Sequence, residues 1–196
     1  MHTNFYKDPD INFDITKLQS ALTEIDKRVA RQSPLGERDI NAICLTQVPG
    51  DPNSITGGNV RGLFWTRPDH TGQEVTREAP IDETQYSEFV KLFKDTYFKE
   101  VYDTLTNKYK LGRIRLLWKL PRTTLSWHRD PEPRLHIPIV TNPGARMCID
   151  TEVRHMPADG SVWITDNTRY HNAFNGGEED RVHLVATVLD TSPITP

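Results

Sequence analysis

Two hydrophobic rhythms run along this chain, and one gives way to the other near Gly112. From Asp14 to Arg31, "DITKLQSALTEIDKRVAR", the residues Ile15, Leu18, Leu22, Ile25 and Val29 recur every three or four positions. That is the stripe of an amphipathic helix. "INAICLTQV" predicts a strand, and Pro49 to Gly62, rich in Gly, Pro, Asn and Asp, predicts a long loop. Loops of that length cover a site or are disordered. Asp82 to Lys108 carries a second helical stripe, Tyr86, Phe89, Val90, Phe93, Tyr97 and Val101, with a break inside it.

Beyond Gly112 the texture turns to short β-prone runs: "RIRLLWKL", "TTLSWH", "RLHIPIV", "ARMCID", "SVWIT" and "RVHLVATVLD". Turn residues such as Asn142-Pro143-Gly144 and Asn175-Gly176-Gly177 separate them. Many short strands with Gly and Pro turns predict a mainly β protein with flanking helices, built on an antiparallel barrel or jelly roll.

Composition narrows the setting. A chain of 196 residues, 36% hydrophobic and 26% charged, is the size of one globular domain, expected over 1–196. A net charge of −3 gives no global attraction to nucleic acid or to an anionic membrane, and neither partner is expected. Two cysteines, Cys44 and Cys148, are too few for a disulfide framework or a thiolate metal site and suit a reducing compartment. The N-terminal "MHTNFYKDPDINFD" has no apolar run behind a basic start, so neither a signal peptide nor a spanning helix is expected, and the cytoplasm is the expected location.

Histidines then change the picture. Five of the seven, His128, His136, His155, His171 and His183, fall in the strand-rich half. Within "SWHRDPEPRLHIPI", residues two apart on an extended chain share a face. His128 therefore projects with Asp130, and Arg134 with His136. Polar groups turned into an apolar interior cost several kcal/mol each unless partnered, on the order of known burial penalties. A divalent metal held by His128 and Asp130 would satisfy the first pair, with His171 in "TRYHNAF" as third ligand. Two imidazoles and one carboxylate leave three coordination positions open on iron(II). A bound carboxylate would satisfy Arg134. Arg181, ten residues after His171, opens an apolar strand where it could grip a buried dianion bidentately. The plainer reading pairs Arg181 with the surface turn Glu178, Glu179, Asp180, and an isolated HxD is by itself a weak motif.

Taken together, HRD (His128 to Asp130), RLH (Arg134 to His136), "GSVWITDNTRYHNA" and "RVHLV" resemble the double-stranded β-helix core of the iron(II)/2-oxoglutarate oxygenases. Within that superfamily the chain is most similar to the aspartyl/asparaginyl β-hydroxylase group, which includes bacterial proline cis-hydroxylases. The resemblance spans roughly Gly112 to Asp190 and weakens before it. It implies a double-stranded β-helix (jelly-roll, cupin-like) core over 112–190, supported by helices and loops over 1–111. It also implies iron(II) ligation by His128, Asp130 and His171. Arg181 would hold the C5 carboxylate of the cosubstrate 2-oxoglutarate, Arg134 and His136 would touch the same molecule, and His183 would line the cavity. The implied reaction is hydroxylation of an unactivated C–H bond by dioxygen, with release of succinate and carbon dioxide. Its substrate would be a free amino acid or an aspartyl- or asparaginyl-type peptide residue. Some relatives use a serine on the strand before the iron site to help hold the C5 carboxylate, and "RLLWKLPR" offers no match.

Competing readings are a non-catalytic cupin-type barrel that binds metal or a small acid, and a zinc hydrolase. The spacing to Arg181 and the RLH pair count against the first; the absence of HExxH or a comparable element counts against the second. Trp163 is expected to pack behind His171, Asp166 to cap the following turn, and His155 and His70 to be loop residues. The six basic residues of "KYKLGRIRLLWKLPR" read as a half-exposed strand. Substrate choice is expected from Pro49 to Gly62 and from Trp65 to Glu78.

Overall fold

A computed structural model describes residues 3–31, 40–55, 64–67, 70–76 and 81–194. The chain opens with strand β1 (Phe5–Asn12) and helix α1 (Ile15–Arg28), followed by β2 (Ile40–Cys44) and β3 (Thr46–Gln47). A small hairpin, β4 (Phe64–Thr66) and β5 (Glu74–Thr76), precedes β6 (Glu88–Phe89) and helix α2 (Tyr97–Lys108). Strands β7 (Leu111–Lys119), β8 (Thr123–Thr124), β9 (His128–Arg129) and β10 (Arg134–Val140) come next. The chain continues through β11 (Ala145–Ile149), β12 (Glu152–Arg154), β13 (Ser161–Thr165), β14 (His171–Asn175) and β15 (Arg181–Val188).

These strands form two main antiparallel sheets. The larger runs β1-β13-β10-β15-β7-β2, and the smaller β12-β11-β14-β9-β4-β5 with β8 beside β14. Leu135, Ile137 and Ile139 of β10 and Val182, Leu184 and Ala186 of β15 point to one side of the larger sheet. There they meet Leu18 and Ile25 of α1 and Phe98, Val101 and Leu105 of α2 in the main core. The other side turns toward the smaller sheet, because Trp163 of β13 shares an apolar cluster with Met147 and Ile149 of β11. Two facing antiparallel sheets with helices outside are the expected mainly β jelly roll.

The helix predicted at Asp14 forms with Asp14 as its N-cap, whose carboxylate accepts from the amides of Thr16 and Lys17. The second predicted helix is corrected. Only Tyr97–Lys108 is α-helical; Glu83–Gln85 and Lys91–Phe93 are 3₁₀ turns flanking the strand β6. Tertiary hydrogen bonds explain the change, since β6 pairs with β3 and the Val90 amide donates to the Leu45 carbonyl. Tyr86, Phe89, Val90, Phe93 and Val101 of the stripe are buried all the same and Tyr97 partly so, which a run of turns achieves as well as a helix does.

"INAICLTQV" is broken at Leu45, whose amide bonds to Ile114 as the chain turns from β2 into β3. "TTLSWH" likewise splits into β8 and the start of β9, with the Trp127 carbonyl accepting from Thr66. Strands β1 and β14 were not anticipated, and neither was the hairpin β4–β5. The loop expected from Pro49 is described only to Ile55, with a 3₁₀ turn at Pro52–Ser54; positions 56–62 lie outside the described residues. Of Trp65 to Glu78, positions 68–69 and 77–78 lie outside them too. Among the described residues no helix is long and apolar enough to cross a membrane.

Candidate active site

Strand pairing brings the first two donors together. His128 of β9 lies directly opposite His171 of β14, and the two rings sit 4.3 Å apart between centroids. Asp130, two residues beyond His128, is tied to the turn before His171 by its amide, which donates to the Asn167 carbonyl at 2.7 Å. Its carboxylate oxygens stand 3.9 Å from His128 Nε2 and 4.0 Å from His171 Nε2. One donor atom from each of the three residues lies within 4.8 Å of the others. Two donors at about 2.1 Å from one ion span up to roughly 4 Å, so the carboxylate–imidazole gaps suit a shared cation.

The tautomers follow from the partners of the other ring nitrogens. His128 Nδ1 is 2.6 Å from the Ser126 carbonyl, and His171 Nδ1 is 2.9 Å from the Arg169 carbonyl. A carbonyl only accepts, so each Nδ1 carries a proton and Nε2 is the ring nitrogen left to bind a metal, as metal-binding histidines require. Burial, then the neighbouring His128, push the His171 pKa down to about 4. Burial alone would raise the Asp130 pKa, but Arg134, His171 and His128 outweigh it and hold the carboxyl down to about 2. At neutral pH the cluster therefore offers a carboxylate and a neutral His171. Asn167 was missed by sequence reasoning. Its amide donates to His171 Nε2 at 2.8 Å and its side-chain oxygen accepts from the Thr165 hydroxyl at 2.6 Å. A lone asparagine in a turn carries no spacing signal that would have singled it out.

The same side of the larger sheet carries the remaining predicted residues. Arg134 Nε reaches Asp130 at 3.1 Å and its Nη1 reaches Glu132 at 3.2 Å. Next on β10 is His136, opposite Trp163, with neither ring nitrogen hydrogen-bonded. On β15, Arg181 Nη2 donates to His183 Nδ1 at 2.7 Å, which leaves the proton of His183 on a buried Nε2 without a hydrogen-bond partner. Burial, with charge from Arg181 second, pushes the pKa of both His136 and His183 well below the ordinary histidine value.

Arg181 is 8% exposed, and among the described residues no carboxylate lies within ion-pair distance of it. Burial pushes its pKa down to about 9, so the guanidinium is charged at neutral pH. Pairing with the acidic turn is thereby overturned: Glu178 bonds Arg122 and Asp180 bonds Arg31. The basic strand also needs correction. Arg113, Arg115 and Lys119 of β7 are 3%, 4% and 2% exposed and face the sheet interior rather than solvent. Arg113 is matched by the buried Glu83 at 2.7 Å. Strand β7 lies between β15 and β2 and is buried on both faces, so alternating charge along it signals a polar interior instead.

Among the lesser candidates, Trp163 donates from Nε1 to Ser161 Oγ and packs on Ile149, which pairs with His171. Asp166 accepts from the Thr168 hydroxyl and from the Arg169 guanidinium in the turn, as expected. His155 bonds the Ala145 carbonyl, and His70 is exposed in a turn.

A sequence profile described as Aspartyl/Asparaginyl beta-hydroxylase matches residues 83–191. A search of curated proteins finds no match. Several solved structures share the fold. A protein described as an oxidoreductase of the 2OG-Fe(II) oxygenase family, from Burkholderia pseudomallei, is 15% identical, with 95% of this chain and 84% of that one covered at a TM-score of 0.51. The viral collagen prolyl hydroxylase of Paramecium Bursaria Chlorella virus-1, in a 2OG complex, is 9% identical over 95% and 96% of the two chains, again at 0.51. HygX from Streptomyces hygroscopicus, with nickel and 2-oxoglutarate bound, is 11% identical over 94% and 82%, also at 0.51.

Proposed function

Since this chain belongs to the aspartyl/asparaginyl β-hydroxylase family, we propose that it is an iron(II)- and 2-oxoglutarate-dependent dioxygenase acting on an amino acid or an aspartyl- or asparaginyl-type peptide residue. One observation carries the reading: three metal donors converge on the same sheet interior that buries a guanidinium with no ion-pairing carboxylate among the described residues. Two imidazoles and a carboxylate fit a divalent cation, and the open positions they leave suit iron(II). Arg181 fits the far end of a dicarboxylic acid.

When bound, iron(II) and 2-oxoglutarate supply the oxidising power: dioxygen and the 2-oxo acid are consumed, succinate and carbon dioxide leave, and a C–H bond gains a hydroxyl. The protein positions and shields. Ser126 and Arg169 fix the ring orientations of His128 and His171 through their carbonyls, and Asp130 adds the negative charge. Arg181 holds the C5 carboxylate, with its guanidinium plane set by His183. His136 offers two unmatched nitrogens to the cosubstrate, and Arg134, braced by Glu132, pairs with the Asp130 carboxylate. Leu117, Val185 and Leu125 form an apolar patch that helps keep water out. Both cysteines are thiols, which suits the cytoplasm.

Anaerobic addition of iron(II) and then 2-oxoglutarate to the purified protein tests this directly. A weak visible charge-transfer band is expected, absent in His128→Ala and in His171→Ala. No band and no succinate after oxygen is admitted would reject the assignment. Screening amino acids and short peptides for stimulated succinate release then identifies the substrate.

A further inference from the structure

The turn between β13 and β14 sets one buried residue against two of the three metal donors. The Asn167 carbonyl accepts from the Asp130 amide at 2.7 Å, and the Asn167 side-chain amide lies 2.8 Å from His171 Nε2. Neighbouring groups settle the direction of the second bond. His171 Nδ1 gives its proton to the Arg169 carbonyl, which leaves a lone pair on Nε2, and the Thr165 hydroxyl donates to Asn167 Oδ1 at 2.6 Å. With the amide turned over, its oxygen would face that lone pair and two acceptors would meet at 2.8 Å. Asn167 Nδ2 is therefore the donor. His128 differs: among the described residues its Nε2 accepts no hydrogen bond, and the Asp130 carboxylate stands 3.9 Å away.

We propose that Asn167 is a positioning residue that guards the coordinating nitrogen of His171. This rests on the reading of His128, Asp130 and His171 as the metal site. A ring-nitrogen lone pair serves one partner at a time, so the Asn167 amide and a cation compete for Nε2. A cation is met first by His128, whose Nε2 carries no such cap, and Asn167 has to yield before His171 completes the set. Until then the guard keeps the His171 ring aimed, with both of its nitrogens bonded. It also holds the metal affinity below what the three donors would reach without it. The tie to the Asp130 amide runs through the Asn167 backbone, so a change of side chain leaves that tie in place. A guard and a mere brace predict opposite signs: removing a brace weakens metal binding, and removing a guard strengthens it.

The test is calorimetric titration of the full chain with manganese(II), after chelator treatment and without cosubstrate. Asn167→Ala is expected to bind manganese(II) about two- to tenfold more tightly than wild type, the net worth of one hydrogen bond. Thr165→Val keeps the amide and removes the hydroxyl that aims it. It should move the affinity in the same direction by less, and it decides the question should the alanine variant fail to fold. In the wild-type protein, the Asn167 side-chain amide proton bonded to His171 should move upfield in NMR spectra when diamagnetic zinc(II) is added. Manganese(II) affinity unchanged or lowered in the variant, or an amide resonance indifferent to zinc(II), overturns the guard. Wild-type protein that takes up neither ion overturns the metal-site reading instead, so the two failures are distinguishable.

Discussion

The two sides of the larger sheet are built from the same strands and have opposite chemistry. Along β10 and β15, Leu135, Ile137, Ile139, Val182, Leu184 and Ala186 meet the helices. The residues that alternate with them, Arg134, His136, Arg181 and His183, are buried too, on the other side. Burial alone therefore says nothing about role. The apolar side lowers the free energy of the chain by itself, while the polar side is costly until a cation and an anion complete it.

The contrast is broken most severely at the metal donors. His171→Ala should lower turnover more than 100-fold, beyond what loss of a supporting group produces. Its folding stability should change little, read as initial rates of succinate formation beside a urea melt.

On the helix side the effect should reverse. Ile137→Ala is expected to lower stability by about 2–5 kcal/mol through the cavity it leaves. Metal affinity of the folded protein should be unchanged, as checked by manganese(II) titration. His136→Leu, on the polar side of the same strand, should leave the ligand-free protein as stable or more so, because it removes two buried nitrogens without hydrogen-bond partners. The same variant should weaken binding of 2-oxoglutarate.

pH sharpens the difference next. His136, His171 and His183 all have folded-state pKa values below the ordinary 6.5, chiefly from burial. The unfolded chain takes up protons at about 6.5 that the folded chain refuses, so stability is present above that pH and is lost as pH falls toward 4. Each histidine contributes up to about 1.4 kcal/mol per pH unit in that window. Urea midpoints of the metal-free protein should fall steeply between pH 7 and pH 5, and His136→Leu should flatten the slope by one histidine's share. The smallest effect is at the acidic turn: Arg122→Ala, which breaks the exposed pair with Glu178, should shift stability within about 0.5 kcal/mol and leave 2-oxoglutarate affinity alone.

What could be read from the chain beforehand follows the same division. Period two in "SWHRDPEPRLHIPI" placed His128 with Asp130 and Arg134 with His136 because both pairs are local to one extended segment. The meeting of His128 with His171 needed strand pairing across more than forty residues, and here the family likeness supplied what spacing could not. Strand β14 went unnoticed because its HNAFN has no clean alternation of buried and exposed positions. The basic residues of β7 were misplaced because a half-exposed edge and a polar interior produce the same alternation, and only the neighbours β15 and β2 decide between them. The 3₁₀ turns before α2 mimicked a helix for a similar reason: their aromatic residues are buried by contacts made elsewhere in the sequence.

The claim beneath all of this is that His128, Asp130 and His171 close around one ferrous ion. Crystals loaded anaerobically with iron(II) and measured at the iron absorption edge test it most directly. The account predicts a single anomalous peak bonded to Nε2 of both histidines and to the Asp130 carboxylate; a peak elsewhere, or none with the three side chains turned apart, would contradict it.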